Sequence, residues 1–384
     1  MIDAALRGSA AVVGVGLAGI GNMAPFTGLE LMSQAVMRAL ADCDLGLADV
    51  DGLFTVSGTA SMPTVSAAEH LGIRPRYVGG TSMGGSNFVD GALHAMMALH
   101  LGLCDVALIA YGSNQRSAGG KLVTLSEPQP WEKDYKPAYP SSSYAMAAAR
   151  HMHEFGTTRE QLAEVAVAAR RWAQLNPMAV RREPLTIADV LVSPMFAPPL
   201  TVRDSCLLTD GAAAAVMVRA DRARSMRHKP VYMLGGAAAY SHRQIAQAKS
   251  LTTTVAAESA PRALAMARMG IDDIDVVQLY DAFTINTILF LEDIGFCPKG
   301  EGGRFVMDGA IAPGGRLPVN TNGGGLSCVH PGMYGLFLIV ESVEQLRGAA
   351  GERQIADAEV ALVHGNGGVL STEVNAIFGT ETTL

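Results

Sequence analysis

Short apolar runs alternate along the chain with longer stretches in which apolar residues recur every three or four positions. The run Ala10–Ile20 is apolar but contains several glycines. This is typical of a buried strand that ends in a glycine turn, not of a signal peptide. The amphipathic segment Leu29–Cys43 then predicts a helix. Because no uninterrupted apolar run reaches roughly 18 residues, the sequence predicts no membrane span.

The predicted elements occur twice. Gly46–Val56 aligns without a gap with Gly270–Tyr280, and both indicate an acidic turn followed by a β-branched strand. Asp105–Gly112 and Glu359–Gly365 predict two further equivalent strands. The other predicted elements also form pairs: the strands Ala11–Gly16 and Val231–Gly236, the helices Leu29–Cys43 and Ala260–Met269, and the helices Phe88–Leu101 and Gly335–Arg347. We infer an internal duplication.

A duplicated pattern of strands and helices predicts an α/β protein in which two sheet domains face each other and helices pack on parallel strands. We expect the N-terminal half to comprise residues 1–112 and 203–228, and the C-terminal half to comprise residues 229–384. Glycine turns at the carboxyl ends of the strands should then converge on one cleft.

Residues 113–202 form an insertion in the first half. It contains the proline-rich stretch Pro128–Pro140 and then a predicted helix, for which Thr157 and Glu160 form a T-x-x-E capping box. Four arginines give it local positive charge: Arg170, Arg171, Arg181 and Arg182. They belong either to a solvated helix face or to a site for the phosphates of an anionic cofactor.

The composition excludes several classes of protein. With 49% hydrophobic residues and a net charge of -7 over 384 residues, the chain is not intrinsically disordered. The sequence lacks the stripe of basic residues that is typical of nucleic-acid-binding proteins. Five widely separated cysteines predict buried free thiols in a cytoplasmic protein, without a disulfide framework or a zinc site. They are Cys43, Cys104, Cys206, Cys297 and Cys328. Cys206 is interpreted as a packing residue.

Three glycine-rich turns contain the candidate reactive groups. In residues 79–86, Ser86 begins a helix, where it either caps the helix or faces an anion. In residues 320–335, His330 precedes a proline and a glycine, which is unusual for a packed histidine. In residues 364–368, the N–H groups of Gly367 and Gly368 could form an oxyanion hole. Tyr280, at the end of a repeated strand, is either a proton donor in the same cleft or a half-buried aromatic residue.

Together these motifs resemble the thiolase superfamily over essentially the whole chain, and most closely its sterol-carrier-type, lipid-transfer members. The matching segments are the turn at Ser86, the Asp-Gly-Ala-Ala strand at Asp210, residues 280–283, the His-Pro-Gly turn at His330 and the turn 364–368. The resemblance implies the thiolase fold, with two duplicated βαβαβαββ-type halves in α/β/α/β/α layers and an inserted loop domain. It also implies a coenzyme A thioester as substrate, no covalently bound cofactor, and a homodimer.

The sequence departs from the thiolase pattern at its reactive residues. The nucleophilic cysteine of thiolases falls at Ser86, and Tyr280 takes the place of an asparagine or histidine. The second thiolase cysteine has no counterpart, because Asn366 occupies its usual place. A serine needs an adjacent base, for which His330 is the only evident candidate. Cys328 is a less favoured nucleophile. We therefore do not expect ordinary thiolysis of 3-ketoacyl-CoA.

Three functions remain open from the sequence. An acyltransferase would accept an acyl group on Ser86, with His330 as base and Gly367 or Gly368 stabilising the oxyanion. An aldolase would break or make a carbon–carbon bond beside the thioester, with Tyr280 protonating the α-carbon. The aldolases that the chain resembles pair with a small OB-fold and zinc-ribbon protein. The third possibility is a non-catalytic module that binds an acyl-CoA or a lipid. The absence of both cysteines slightly favours aldol chemistry.

Overall fold

The computed structural model describes residues 5–57, 61–119 and 128–384. The strands are β1 (Ala10–Gly21), β2 (Gly52–Thr55), β3 (Tyr77–Gly79), β4 (Val106–Ser113), β5 (Met195–Ala197), β6 (Leu200–Thr201), β7 (Asp210–Arg219), β8 (Val231–Tyr240), β9 (Val276–Leu279), β10 (Val360–Gly367) and β11 (Thr372–Gly379). The helices are α1 (Gly28–Asp42), α2 (Pro63–Leu71), α3 (Asn87–His100), α4 (Ser141–Phe155), α5 (Arg159–Gln174), α6 (Ile187–Leu191), α7 (Ala220–Ala223), α8 (Ala256–Ala267), α9 (Thr284–Ile294), α10 (Gly302–Phe305) and α11 (Gly335–Arg347). Within these ranges, no helix is long and apolar enough to span a membrane.

Nine of the strands form one mixed sheet in the order β3-β2-β4-β7-β1-β8-β11-β10-β9. Hydrogen bonds between β1 and β8 join the two halves, and the strands of each half follow in equivalent order away from this junction. The prediction of parallel sheets was wrong for the strands near the junction. Among the strands of the described residues, the parallel pairs are β2–β3, β2–β4 and β9–β10. Strands β10 and β11 pair antiparallel because only a short turn joins them.

The duplication extends to individual hydrogen bonds. The Asp51 carboxylate accepts hydrogen bonds from the backbone N–H groups of Asp105 and Val106. In the second half, the Asp275 carboxylate accepts equivalent hydrogen bonds from the backbone N–H groups of Glu359 and Val360. The close packing of strand on helix is also repeated. A Cβ at Gly16 would lie 2.4 Å from Ala35 O on α1, and one at Gly235 would lie 2.4 Å from Ala263 O on α8. The sequence repeat therefore reflects two equivalent β–α–β units.

The helices form three layers around the two halves of the sheet. Helix α1 packs on β1, β4 and β7, and α8 packs on β8 and β11, so these two helices cover the outer faces. Helices α3 and α11 contact each other and strands of both halves, so they form the central layer. Both central helices begin at the glycine-rich turns that carry the candidate residues. The α/β class and the layered, duplicated arrangement are confirmed.

The insertion contributes helices α4–α6 and the hairpin β5–β6. Its predicted capping box is wrong by one residue, because the N-cap of α5 is Thr158 and its partner is Gln161. Thr158 has the extended backbone that an N-cap needs. The hydroxyl of Thr157 instead lies 2.7 Å from Nδ1 of the buried His151. That histidine contacts Glu292 of α9 at 3.1 Å and so ties the insertion to the second half.

Candidate active site

All three glycine turns meet at a cavity of about 210 Å³, called here the central cavity. The first turn contributes Gly85, the second His330 and Gly332, and the third Asn366 and Gly368. The other lining residues come from the insertion, from the segment before β7 and from the end of β9: Pro140, Ser141, Tyr144, Ser205, Cys206, Leu207, Leu208, Tyr280, Ala282 and Phe283. The expected convergence of the turns on one cleft is confirmed.

Tyr280 and His330 form a hydrogen-bonded pair in the wall of this cavity. His330 Nε2 lies 3.2 Å from Tyr280 Oη, and the rings meet edge to face. The backbone N–H of Tyr334 donates to the same oxygen at 3.1 Å. The contact allows a proton to move between His330 Nε2 and the Tyr280 oxygen, and the Tyr334 N–H is placed to stabilise a phenolate at Tyr280.

Burial determines the protonation of this pair. It raises the pKa of Tyr280 well above that of an ordinary tyrosine, because the cavity disfavours the charged form. It lowers the pKa of His330 to about 4 for the same reason. At neutral pH the tyrosine is thus a protonated acid and the histidine a neutral base.

The loop that carries His330 is held by polar contacts from several elements. Asp281, next to Tyr280, accepts hydrogen bonds from the N–H groups of Gly325 and Leu326 in the π-helical turn Gly324–Cys328. The backbone N–H of His330 donates to Thr209 Oγ1 at 3.0 Å. Sequence reasoning missed the role of Asp281, although its place in the Tyr-Asp-Ala-Phe motif was the available signal.

Ser86 lies behind the wall of the central cavity. Its side chain is fully buried, and its Oγ lies 2.8 Å from Thr372 Oγ1 and 3.4 Å from the carbonyl of Met83. It occupies the N-cap position of α3, as the capping alternative expected, but makes no side-chain capping bond there. Its role as an acyl acceptor stays a prediction, and Oγ would have to leave Thr372 to reach the cavity.

Gly85 is the residue of this turn that lines the cavity. A Cβ at this position would lie 2.1 Å from Cε2 of Tyr280 and 2.4 Å from its hydroxyl oxygen. The ring of Tyr280 therefore occupies the space into which a side chain at position 85 would project. Glycine here is what allows the phenol to face the cavity.

The other sequence candidates differ in their access to the cavity. Gly368 lines it, whereas Gly367 lies outside the wall and packs against Met83 and Thr372. Cys328 is buried and accepts a hydrogen bond from Asn176 Nδ2, away from the lining residues. Cys206 does line the cavity, so interpreting it as a packing residue understated its position.

A second cavity, of about 610 Å³, adjoins the first and shares Ser205 and Leu207 with it. We call it the arginine cavity because Arg170, Arg181 and Arg203 line it. Arg170 is mostly buried, where it donates to Ser327 Oγ and to a backbone carbonyl. Two of the four arginines singled out from the sequence thus face this space, and Arg203 joins them.

Comparisons with known proteins agree with this architecture. A family described as thiolase C-terminal domain-like matches residues 237–380. The acetyl-CoA acetyltransferase of Methanothermobacter thermautotrophicus is 35% identical over 96% of this chain and 98% of its own. The 17-hydroxy-3-oxo-4-pregnene-20-carboxyl-CoA lyase of Mycobacterium tuberculosis is 34% identical over 95% of this chain and 98% of its own. The solved Ltp2-ChsH2(DUF35) aldolase superposes with a TM-score of 0.88 at 31% identity and covers 98% of this chain and 99% of its own. The chain belongs to the thiolase superfamily, and its fold is the thiolase fold.

Proposed function

We propose that the protein is a lyase that cleaves the carbon–carbon bond between the α- and β-carbons of a 3-hydroxyacyl-CoA thioester by retro-aldol chemistry, or forms it in the reverse direction. The observation that carries the proposal is the Tyr280–His330 contact of 3.2 Å in the wall of a cavity from which Ser86 is excluded. A related lyase and a related aldolase support the same reaction class.

The proton transfers balance within this pair of residues. The neutral imidazole of His330 takes the proton of the β-hydroxyl group while the bond between the α- and β-carbons breaks. The bonding electrons move onto the thioester as an enolate, and the β-carbon leaves as a ketone or aldehyde. Tyr280 then gives its proton to the α-carbon. The phenolate, held by the Tyr334 N–H, regains a proton from His330.

The enolate oxygen needs a hydrogen-bond donor at the place where its charge develops. Gly368 fits this task because it lines the cavity beside Asn366, and we assign its N–H to the thioester oxygen. Gly367, behind the wall, supports the turn in this assignment. We assign these two roles because Gly368 lines the cavity and Gly367 does not.

We assign the coenzyme A portion of the substrate to the arginine cavity. This cavity shares Ser205 and Leu207 with the reactive one, and we propose that the thioester lies in one while the nucleotide occupies the other. Arg181 and Arg203 would meet the phosphates, because guanidinium groups bind phosphate oxygens in a bidentate way. Glu183, which also lines this cavity, lies 3.8 Å from both Arg170 and Arg181.

A second protein is part of the proposal. The name of the solved aldolase joins Ltp2 to ChsH2(DUF35). We propose that the present chain likewise works with a small OB-fold and zinc-ribbon partner, as a homodimer in the cytoplasm. Light scattering of the purified protein, alone and with such a partner, measures both associations.

The test is incubation with a panel of 3-hydroxyacyl-CoA thioesters, with liquid chromatography and mass spectrometry of the products. We expect a carbonyl product and a shortened acyl-CoA that carries one solvent deuteron at the α-carbon in D₂O. Tyr280→Phe should lower kcat by at least about 100-fold, and Ser86→Ala should leave kcat within about threefold. An acyl adduct mapped to Ser86 would instead establish the acyltransferase, and one on Cys328 would identify another nucleophile.

A further inference from the structure

The turn that carries His330 cannot fix its own shape. Pro331 has no N–H to donate, and Gly332 lies in the left-handed region with a φ of +90°. Glycine tolerates both left-handed and right-handed backbone, so it does not lock the turn. The position of the imidazole therefore depends on contacts from other elements.

Thr209 of the first half bonds both backbone groups of His330. The N–H of His330 donates to Thr209 Oγ1 at 3.0 Å, and the N–H of Thr209 donates to the carbonyl of His330 at 3.3 Å. Each bond has one possible direction, because a backbone N–H only donates and a carbonyl oxygen only accepts. The hydroxyl of Tyr111, also in the first half, donates to the carbonyl of Pro331 at 2.6 Å. Two residues of the first half thus hold the reactive turn of the second half.

Both anchors are fixed by their surroundings. Thr209 is 1% exposed and directly precedes β7. The adjacent Asp210 carboxylate accepts hydrogen bonds from three backbone N–H groups of other segments. Tyr111 is 2% exposed and lies within β4. Neither anchor is among the described residues that line the central cavity, so each acts on the reaction through His330 and not by contact with a substrate.

We propose that Thr209, together with Tyr111, is a positioning residue that holds the His330 imidazole at hydrogen-bond distance from Tyr280 Oη. The first half then sets the geometry of a reactive pair that the second half supplies. Without the Thr209 hydroxyl, the N–H of His330 would lose its acceptor, which is unfavourable enough to displace the turn. The displaced backbone would carry the imidazole away from its contact with Tyr280. The effect on a rate rests on the proposed function, whereas the effect on this contact does not.

Three variants test the role of the Thr209 hydroxyl. Thr209→Val replaces the hydroxyl by a methyl group of similar size, whereas Thr209→Ser keeps the hydroxyl. The matched control is Thr157→Val, which removes another buried threonine hydroxyl beside a histidine, 2.7 Å from Nδ1 of His151. Crystal structures of the wild type and of each variant give the distance between His330 Nε2 and Tyr280 Oη, and steady-state cleavage of 3-hydroxyacyl-CoA gives kcat and KM.

We expect the distance of 3.2 Å to increase beyond about 3.5 Å in Thr209→Val. Its kcat should fall by about 10- to 100-fold, with KM within about twofold of the wild type because substrate binding is untouched. Thr209→Ser and Thr157→Val should keep both the contact and kcat. A general loss of stability would not produce this pattern, because the control also loses a buried hydroxyl.

The outcomes separate this inference from the proposed function. An unchanged contact in folded Thr209→Val, or a lost contact that Thr209→Ser does not restore, overturns the inference even if the enzyme cleaves 3-hydroxyacyl-CoA. A contact that is lost in Thr209→Val and restored in Thr209→Ser supports positioning; if wild-type protein cleaves nothing, or if kcat is unchanged, the same result contradicts the proposed reaction. If Thr209→Val does not fold, Tyr111→Phe removes the bond to Pro331 and should lengthen the same contact beyond about 3.5 Å. An unchanged contact there overturns the inference.

Discussion

Replacing Gly85 by alanine changes the position of the Tyr280 phenol without altering any reacting group. The added Cβ would lie 2.1 Å from Tyr280 Cε2, whereas ordinary contact begins at 3.4 Å, so the ring must retreat by about 1.3 Å. The backbone of Gly85 is not left-handed, so alanine adds no backbone strain. Because a misplacement of about 1 Å can reduce a catalysed rate by roughly 100-fold, we expect kcat to fall by about that factor.

The assay compares steady-state cleavage by Gly85→Ala with that by Gly91→Ala. Gly91 is on α3, and a Cβ there would meet nothing closer than 3.8 Å. The control should keep wild-type kcat, whereas Gly85→Ala should lose activity with a destabilisation of only about 1–3 kcal/mol from overpacking. In a Tyr280→Phe background, Gly85→Ala should have little further effect on kcat. Wild-type kcat in folded Gly85→Ala would refute the placement of Tyr280 in the reaction.

Three further predictions concern protonation and buried charge. Because burial lowers the pKa of His330 to about 4, kcat/KM should be constant between about pH 6 and 8 and fall only below about pH 5; an acidic limb centred at an ordinary histidine pKa would contradict this. Burial raises the pKa of Asp281 to about 7, above its value in the unfolded chain, so its contribution to stability is greatest at low pH. In urea denaturation, the free energy of unfolding of the wild type minus that of Asp281→Asn should therefore fall by up to about 4 kcal/mol between about pH 4 and 7. A difference that stays constant over this range would argue against a raised pKa for Asp281. Arg353→Met leaves the buried Glu341 without its cationic partner and should lower the free energy of unfolding by about 3–5 kcal/mol, whereas Arg304→Met, in an exposed ion pair, should change it by less than about 1 kcal/mol.

The local order of elements could be read from the sequence because it depends on neighbouring residues. Hydrophobic periodicity placed the helix Gly335–Arg347 with the bounds that the structure has, and the gapless repeat identified the equivalent strands that end near residues 56 and 280. The motif positions predicted which turns meet, because the carboxyl ends of equivalent strands lie at the same edge of a sheet.

What the tertiary structure decided is which atoms of those turns reach the cavity. In residues 79–86, the sequence favoured Ser86, but the packing of the turn against Thr372 and Tyr280 puts Ser86 behind the wall and Gly85 in it. The side chain of Asn366 is hydrogen-bonded to the hydroxyl of Tyr144, which lies 222 residues away in the insertion. No periodicity in the sequence relates these two residues. Spacing along a chain determines which face of an element a residue occupies. The environment on that face, and with it the free hydrogen-bonding groups and the pKa values, depends on elements that come together only in the folded protein.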